Sequence, residues 1–171
     1  MSLLLAIISD THLPRGSRTL PAACVQRLRA ADLILHAGDL ATAGVLADLR
    51  ALGPPVEAVY GNVDDHEVCA LLPSARLVQA GPARIAMIHD AGPAGGRLAR
   101  LRERFAGAGA GADAVVFGHS HIPLHERDPA TGFQIFNPGS PTDRRRQPTH
   151  TMGQARIGED GAVSFELIDL G

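Results

Sequence analysis

Short, wholly apolar runs alternate along the chain with polar exits punctuated by glycine. Leu3–Ile8 is apolar at every position, the pattern of a strand covered on both faces, and it stops abruptly at Ser9-Asp10-Thr11-His12. The figure then repeats. Residues 32–36 run into Ala37-Gly38-Asp39, and residues 56–60 run into Gly61-Asn62-Val63-Asp64-Asp65. Residues 76–79 and 84–89 read as a strand pair around a Gly81-Pro82 turn, the second ending in His89-Asp90. Residues 114–117 form a last apolar strand that breaks at Gly118-His119-Ser120-His121. Between these strands, helical spacing predicts helices from Pro21 to about Ala30 with Val25 and Leu28 inward, over 44–51, over 67–72 and over 95–105.

The pattern changes after His121. Residues 121–127, 133–136, 149–156 and 163–168 are strand-like, with turns at Asp128-Pro129-Ala130-Thr131-Gly132 and Glu159-Asp160-Gly161. Strand–helix units followed by a meander predict a layered α/β fold with two packed sheets. The 171 residues fit one domain, 1–171, and the glycine-rich residues 107–111 read as a flexible link rather than a boundary. No internal repeat of fixed period is present.

Composition narrows the chemistry. All sixteen basic residues are arginine, so nucleophilic or Schiff-base lysine chemistry is excluded. A formal net charge of −2 does not mark a dedicated nucleic-acid or membrane binder. Cys24 and Cys69 lack Cys-x-x-Cys spacing, which argues against a zinc ribbon or redox dithiol and predicts two buried free thiols in a reducing compartment. No run is long enough to span a membrane and no leader is evident, so the expected location is cytoplasmic.

Candidate chemistry sits at the strand exits. Asp10, His12, Asp39, Asn62, His89, His119 and His121 each follow a predicted strand. In α/β sheets, sites assemble outside the carboxyl ends of strands. Any one of these residues could cap a helix or serve a turn, but their recurrence at nearly every exit is not explained that way. Oxygen and imidazole ligands without thiolate suit Mn²⁺, Zn²⁺, Fe²⁺, Co²⁺ or Ni²⁺ rather than Ca²⁺. Seven of them suffice for two ions if one carboxylate bridges, an arrangement that can hold a hydroxide and clamp a phosphoryl group.

Asp10-x-His12, Gly38-Asp39, Gly61-Asn62, His89 and Gly118-His119-x-His121, in that order, resemble the calcineurin-like metallophosphoesterase superfamily. The short length, His36-Ala37-Gly38-Asp39 and Asn137-Pro138-Gly139-Ser140 are similar to its small YfcE-like phosphodiesterases. The resemblance covers residues 1 to about 156. It implies a four-layer α/β/β/α sandwich with a binuclear centre. Asp10, His12 and His121 would bind one ion, Asn62, His89 and His119 the other, and Asp39 would bridge them. Mn²⁺ is the foremost expectation, with Ni²⁺, Co²⁺, Zn²⁺ or Fe²⁺ as alternatives. The implied activity is metal-dependent hydrolysis of a small phosphodiester or phosphomonoester by a bridging hydroxide, with Asp39, Asn62 and His119 as catalytic residues. Self-association would also be in keeping with small members.

Two positions depart from the pattern. Many members carry Gly-Asn-His-Glu, whose histidine is thought to protonate the leaving group; here Val63 and Asp64 follow Asn62, so that acid is unassigned, with Asp64, Asp65 or His66 as substitutes and Asp64 the weak candidate named first. Asp90 follows His89 where glycine is usual, and it could orient a partner of the site or crowd the pocket. Asn137-Pro138-Gly139-Ser140 reads first as a turn near the metal edge. Arg144-Arg145-Arg146 reads first as a solvated basic loop, with phosphate contact as the alternative. The competing function is a non-catalytic interaction scaffold on the same fold, like the retromer subunit that resembles these enzymes. Such proteins typically lose ligand residues, whereas all seven positions are filled here.

Overall fold

The computed structural model describes residues 2–107 and 111–171; most of the predicted flexible link, residues 108–110, lies outside them. The element order is β1 (Leu3–Ile8), α1 (Ala22–Arg29), β2 (Leu33–His36), α2 (Ala43–Arg50), β3 (Val56–Ala58), α3 (His66–Leu71), β4 (Ala75–Ala80), β5 (Ala83–Ile88), α4 (Arg97–Arg104), β6 (Ala114–Val116), β7 (Leu124–Arg127), β8 (Gln134–Asn137), β9 (Thr151–Ile157) and β10 (Val163–Asp169). Two five-stranded mixed sheets result, ordered β10-β9-β1-β2-β3 and β4-β5-β6-β8-β7.

Alternation along the strands builds the layers. In β1, Leu5 and Ile7, with Leu35 of the neighbouring β2, face the second sheet and pack with Ile85, Met87, Val116 and Phe136. Ala6 and Ile8 face the other way, onto Leu28 of α1, Leu46 and Leu49 of α2 and Val68 of α3. The second sheet turns Ala86, Val115 and Ile135 outward onto Leu101 of α4, with Leu98 and Phe105 at the margin. The order is therefore helices, sheet, sheet, helix, as the resemblance implied. Strands β1, β2 and β3 run parallel, as do β5, β6 and β8. Among the described residues, no helix is long and apolar enough to cross a membrane.

Four expectations are corrected. The four C-terminal strands do not form one meander: β7 and β8 complete the second sheet, while β9 and β10 pair beside β1 in the first. The strand predicted from residue 121 begins only at Leu124, because His121 has φ 59° and cannot continue an extended chain. Of the two thiols, Cys24 is buried but Cys69 is exposed. On α1, Cys24 and Leu28 are the buried pair, and Val25 is only half-buried.

Candidate metal centre

The parallel strands end at a common edge, and the exits are knitted to one another there. Asp10 N–H donates to the Gly38 carbonyl (2.9 Å), His12 N–H to that of Asp39 (3.0 Å), and Gly118 N–H to that of His89 (2.9 Å). Across the loop after β8, the Ser140 hydroxyl donates to the Asp10 carbonyl (2.8 Å) and the Thr142 hydroxyl to that of Thr11 (2.6 Å). These bonds hold a strained backbone. Asp10, His12, Asp39, His119 and His121 all have φ between 46° and 70°. Left-handed geometry costs an ordinary residue about 1–2 kcal/mol, and it persists where the surroundings over-determine it.

The glycine preceding three of the ligands has a steric cause. A Cβ on Gly118 would lie 1.9 Å from Ser9 Oγ and 2.6 Å from Asp10 Oδ2. One on Gly61 would lie 2.1 Å from Asp39 Oδ1, and one on Gly38 2.6 Å from His89 Nδ1. Each exit thus passes against a ligand supplied by another strand. The Gly-Asp, Gly-Asn and Gly-His pairs mark close packing of the exits as well as turns.

Two donor groups gather at this edge. In the first, His121 donates its Nδ1–H to the Asp143 carbonyl, which leaves the Nε2 lone pair facing inward. That atom lies 3.2 Å from His12 Nε2 and 3.4 Å from Asp10 Oδ1. In the second, His89 donates Nδ1–H to the Ala37 carbonyl (2.8 Å), and its Nε2 lies 3.2 Å from Asp39 Oδ2 and 3.0 Å from Asn62 Oδ1. Asn62 Oδ1 is also 2.9 Å from His119 Nδ1. Asp39 Oδ2 faces both groups, at 3.6 Å from His12 Nε2. Bonds of about 2.1 Å to one cation place its ligands about 3.0–3.4 Å apart. Inward lone pairs and carboxylate oxygens at that spacing fit divalent cations.

Electrostatics agrees with that fit. Burial raises the Asp10 carboxyl above its usual range, against the lowering pull of His89 and His121. Burial also opposes ionisation of Asp39, yet bonds from His89 and the Val63 N–H, with the charges of His89 and His12, hold it below the usual range. Burial disfavours a charged His89, but the Asp39 bond and the Asp10 and Asp39 carboxylates outweigh it and raise the imidazole. His12 is lowered, first by burial and also by His121 and Arg145.

The neighbouring residues sort clearly. Asp64 turns its carboxylate onto three backbone donors, the N–H groups of Asp39 (3.0 Å), Ala41 (2.7 Å) and Gly61 (2.7 Å). Burial raises it despite these bonds. The group clamps the β2 and β3 exits together, with both oxygens spent on backbone. His36 is fully buried and lowered to about 3 by desolvation. Its Nδ1 accepts from Gly38 N–H (3.1 Å), which assigns the other hydrogen to Nε2, 3.0 Å from Thr11 Oγ1. The 137–140 loop acts as a strut, since Asn137 Nδ2 donates to the Gly118 carbonyl (3.0 Å) and Ser140 braces Asp10. In the arginine run, Arg144 donates to the Gln147 carbonyl, and Arg145 is in the left-handed region at φ 49°. His66, His125 and His150 are not among these donors. Ser9, Asp143 and Thr142 were missed by sequence reasoning, and Asp143 acts through its backbone carbonyl, which any residue would supply.

Two cavities lie near this edge. The larger, about 530 Å³, lies between α1 and α2 among Leu13, Leu20, Val25, Val45 and Leu49, and none of the seven ligands lines it. The smaller, about 260 Å³, is lined by Asn62 and His89 themselves.

Comparison with known proteins gives a consistent answer. The family model for the calcineurin-like phosphoesterase superfamily domain matches residues 3–160. A probable metallophosphoesterase of Methanothermobacter thermautotrophicus is 38% identical over 169 residues, covering 99% of this chain and 94% of the relative. Among solved structures, Entamoeba histolytica Vps29 complexed with zinc superposes with TM-score 0.74 at 23% identity, over 99% of this chain and 100% of that one. An archaeal phosphodiesterase superposes with TM-score 0.70 at 19% identity, over 97% and 100%. These structures share the fold.

Proposed function

Because the chain belongs to the calcineurin-like phosphoesterase superfamily, we propose that it is a metal-dependent phosphoesterase acting on small phosphodiesters through a binuclear centre. The observation that carries this reading is two overlapping groups of buried donors at cation spacing, Asp10-His12-His121 and Asp10-Asp39-His89, with Asn62 hydrogen-bonded to His89 and His119 beside them. Asp10, His12 and His121 would hold one ion, and Asn62, His89 and His119 the other, with Asp39 shared. Two divalent ions supply the Lewis acidity that makes water nucleophilic at neutral pH and draws charge from phosphoryl oxygens. Mn²⁺ is the first ion to try.

The chain's own residues divide the remaining work. The Ala37 and Asp143 carbonyls fix the His89 and His121 tautomers, so both rings present Nε2. Asn62 and His119 are exposed, which places them where a substrate arrives. Asp64 is assigned to loop positioning rather than proton transfer, so a substrate with a good leaving group suits this site. The preference for diesters draws on the likeness to small phosphodiesterases and on the archaeal phosphodiesterase that shares the fold.

The test is hydrolysis of bis(4-nitrophenyl) phosphate by chelator-stripped protein with metal added back. Turnover should return with Mn²⁺ and fall by about 10³-fold or more in Asp39→Asn, which weakens both donor groups. Folded protein with no turnover on Mn²⁺, Ni²⁺, Co²⁺, Zn²⁺ or Fe²⁺ would favour the scaffold instead.

A further inference from the structure

The arginine run lies beside the Asp10, His12 and His121 group, in a segment whose backbone is fixed. The Ser140 hydroxyl accepts from the N–H groups of Thr142 (3.2 Å) and Asp143 (2.8 Å), and Gln147 N–H closes a turn onto the Arg144 carbonyl (2.8 Å). Arg144 spends its guanidinium on that turn, donating to the Gln147 carbonyl (2.6 Å). Arg145 sits within the turn at φ 49°, exposed, with no hydrogen bond or ion pair among the described residues. Its α-carbon is within about 7 Å of that of Asp143, whose carbonyl aims His121. The Asp143 carboxylate is already paired with Arg18 (3.4 Å). Burial opposes its ionisation, yet Arg18 first, then His121, His12 and Arg145, hold it below the usual range. Arg145 also helps to lower His12, behind burial and His121.

One carboxylate does not neutralise two guanidinium groups, so this rim keeps a positive charge to spare. Placed beside a cation site, that charge opposes the cations. It becomes favourable when an anion arrives to meet it. We propose that Arg145 is a specificity-determining residue that binds an anionic group, a carboxylate or a second phosphate, carried on the non-leaving ester of the substrate. The proposal rests on the phosphoesterase reading for the position of the scissile group. On that reading the non-bridging oxygens of the scissile phosphoryl face the two ions, and the guanidinium meets the charge that lies beyond them. A planar fork of donors matches both carboxylate and phosphate. The substrate class is thereby narrowed to phosphodiesters with a second negative group.

The test uses four 4-nitrophenyl phosphodiesters with Mn²⁺, alike in leaving group and differing in the second ester: ethyl, 2-carboxyethyl, 2-phosphonooxyethyl and 2-trimethylammonioethyl. The kcat/KM of an anionic ester should exceed that of the ethyl ester by about five- to tenfold, with the cationic ester lowest. The larger of the carboxylate and phosphate ratios identifies the group. Arg145→Asn, whose side chain tolerates the left-handed backbone, should bring the ratios near one. Arg145→Glu should reverse the order, and Arg145→Lys should keep it. Equal kcat/KM for the anionic and ethyl esters in active protein overturns the proposal and leaves the hydrolase reading standing. So does an Arg145→Asn variant that slows all four esters alike, since that is the mark of a merely structural role. If no ester turns over, the hydrolase reading falls and calorimetry with Mn²⁺ present decides the proposal. Tighter binding of 3-phosphonopropionate than of propylphosphonate, lost in Arg145→Asn, supports it, and equal binding overturns it.

Discussion

The two halves of the proposed metal centre are built on different principles. Asp10, His12 and His121 are 0%, 8% and 1% exposed. Each is braced from behind, Asp10 by the Ser9 hydroxyl and His121 by the Asp143 carbonyl, with Thr142 holding the backbone just before His12. In the other half only His89 is buried and braced, by the Ala37 carbonyl, whereas Asn62 and His119 are exposed and meet chiefly each other and His89. A buried donor set without its cation leaves lone pairs and carboxylates facing one another with no water to separate them, which is costly. An open set can be satisfied by solvent. On the proposed reading, cation binding at the closed half would therefore also be folding energy, whereas the open half would govern access.

That contrast breaks first in metal titration. Mn²⁺ added to stripped protein should fill two sites of unequal affinity, the tighter one raising the denaturation midpoint. At a hundred times its dissociation constant, a ligand that binds only the native state adds about 2.7 kcal/mol. His121→Ala should weaken the tighter site by at least about 100-fold, beyond what the loss of a mere orienting partner costs. Asn62→Ala should leave that site filled and weaken the second. Loss of the same site in both variants would remove the distinction.

Acid should act on the shared foundation of the two halves. His36 bridges the β1 and β2 exits through Thr11 and Gly38, and it stays neutral in the fold because burial lowers it to about 3 from 6.5. The unfolded chain takes up this proton below 6.5 and the native chain does not, so stability is full above pH 6.5 and falls between 6.5 and 3. At about 1.4 kcal/mol per unit, the loss at pH 5 is about 2 kcal/mol. Urea denaturation of stripped protein at pH 7.5 and 5 measures it, and His36→Asn, lacking a titrating group, should show a smaller drop.

Asp64→Asn probes the scaffold of the open half. The amide has only one acceptor oxygen for three N–H groups that a carboxylate satisfies with two. Leaving a partly buried donor unmet costs about 1–3 kcal/mol. The variant should lower the thermal midpoint and weaken the second site, with Asp39 and Asn62 shifting together. An unchanged midpoint would mean that solvent replaces the clamp.

The candidate ligands and the groups that orient them were unequally legible in the sequence. Apolar runs ending in Asp-x-His, Gly-Asp, Gly-Asn and Gly-His-x-His placed every candidate ligand at the common edge, because the strand period fixes which edge a side chain reaches. What orients those ligands was not legible. The Asp143 and Ala37 carbonyls are backbone groups, and their role depends on which loop folds over which exit. The same reason separates the β7–β8 and β9–β10 hairpins. Local alternation predicts each strand, but the sheet it joins is decided by contacts such as Ile7 opposite Gly153, far apart in the chain. The steric need for Gly38, Gly61 and Gly118 lies likewise in neighbours supplied by other strands.

The smallest expected effect is the most selective. The Ser140 hydroxyl donates to the Asp10 carbonyl and accepts from the N–H groups of Asp143 (2.8 Å) and Thr142 (3.2 Å). It fixes the loop whose Asp143 carbonyl aims His121, yet it touches no ligand of the open half. Ser140→Ala removes three bonds without leaving a void larger than one oxygen, and stability should fall by about 1 kcal/mol. Because the lost brace acts through ligand orientation, the tighter Mn²⁺ site should weaken by about tenfold, at the low end for an outer-shell change. The weaker site should keep its affinity. An equal loss at both sites would show that the β8 loop supports the whole centre rather than its closed half, and the two halves would then be one mechanical unit.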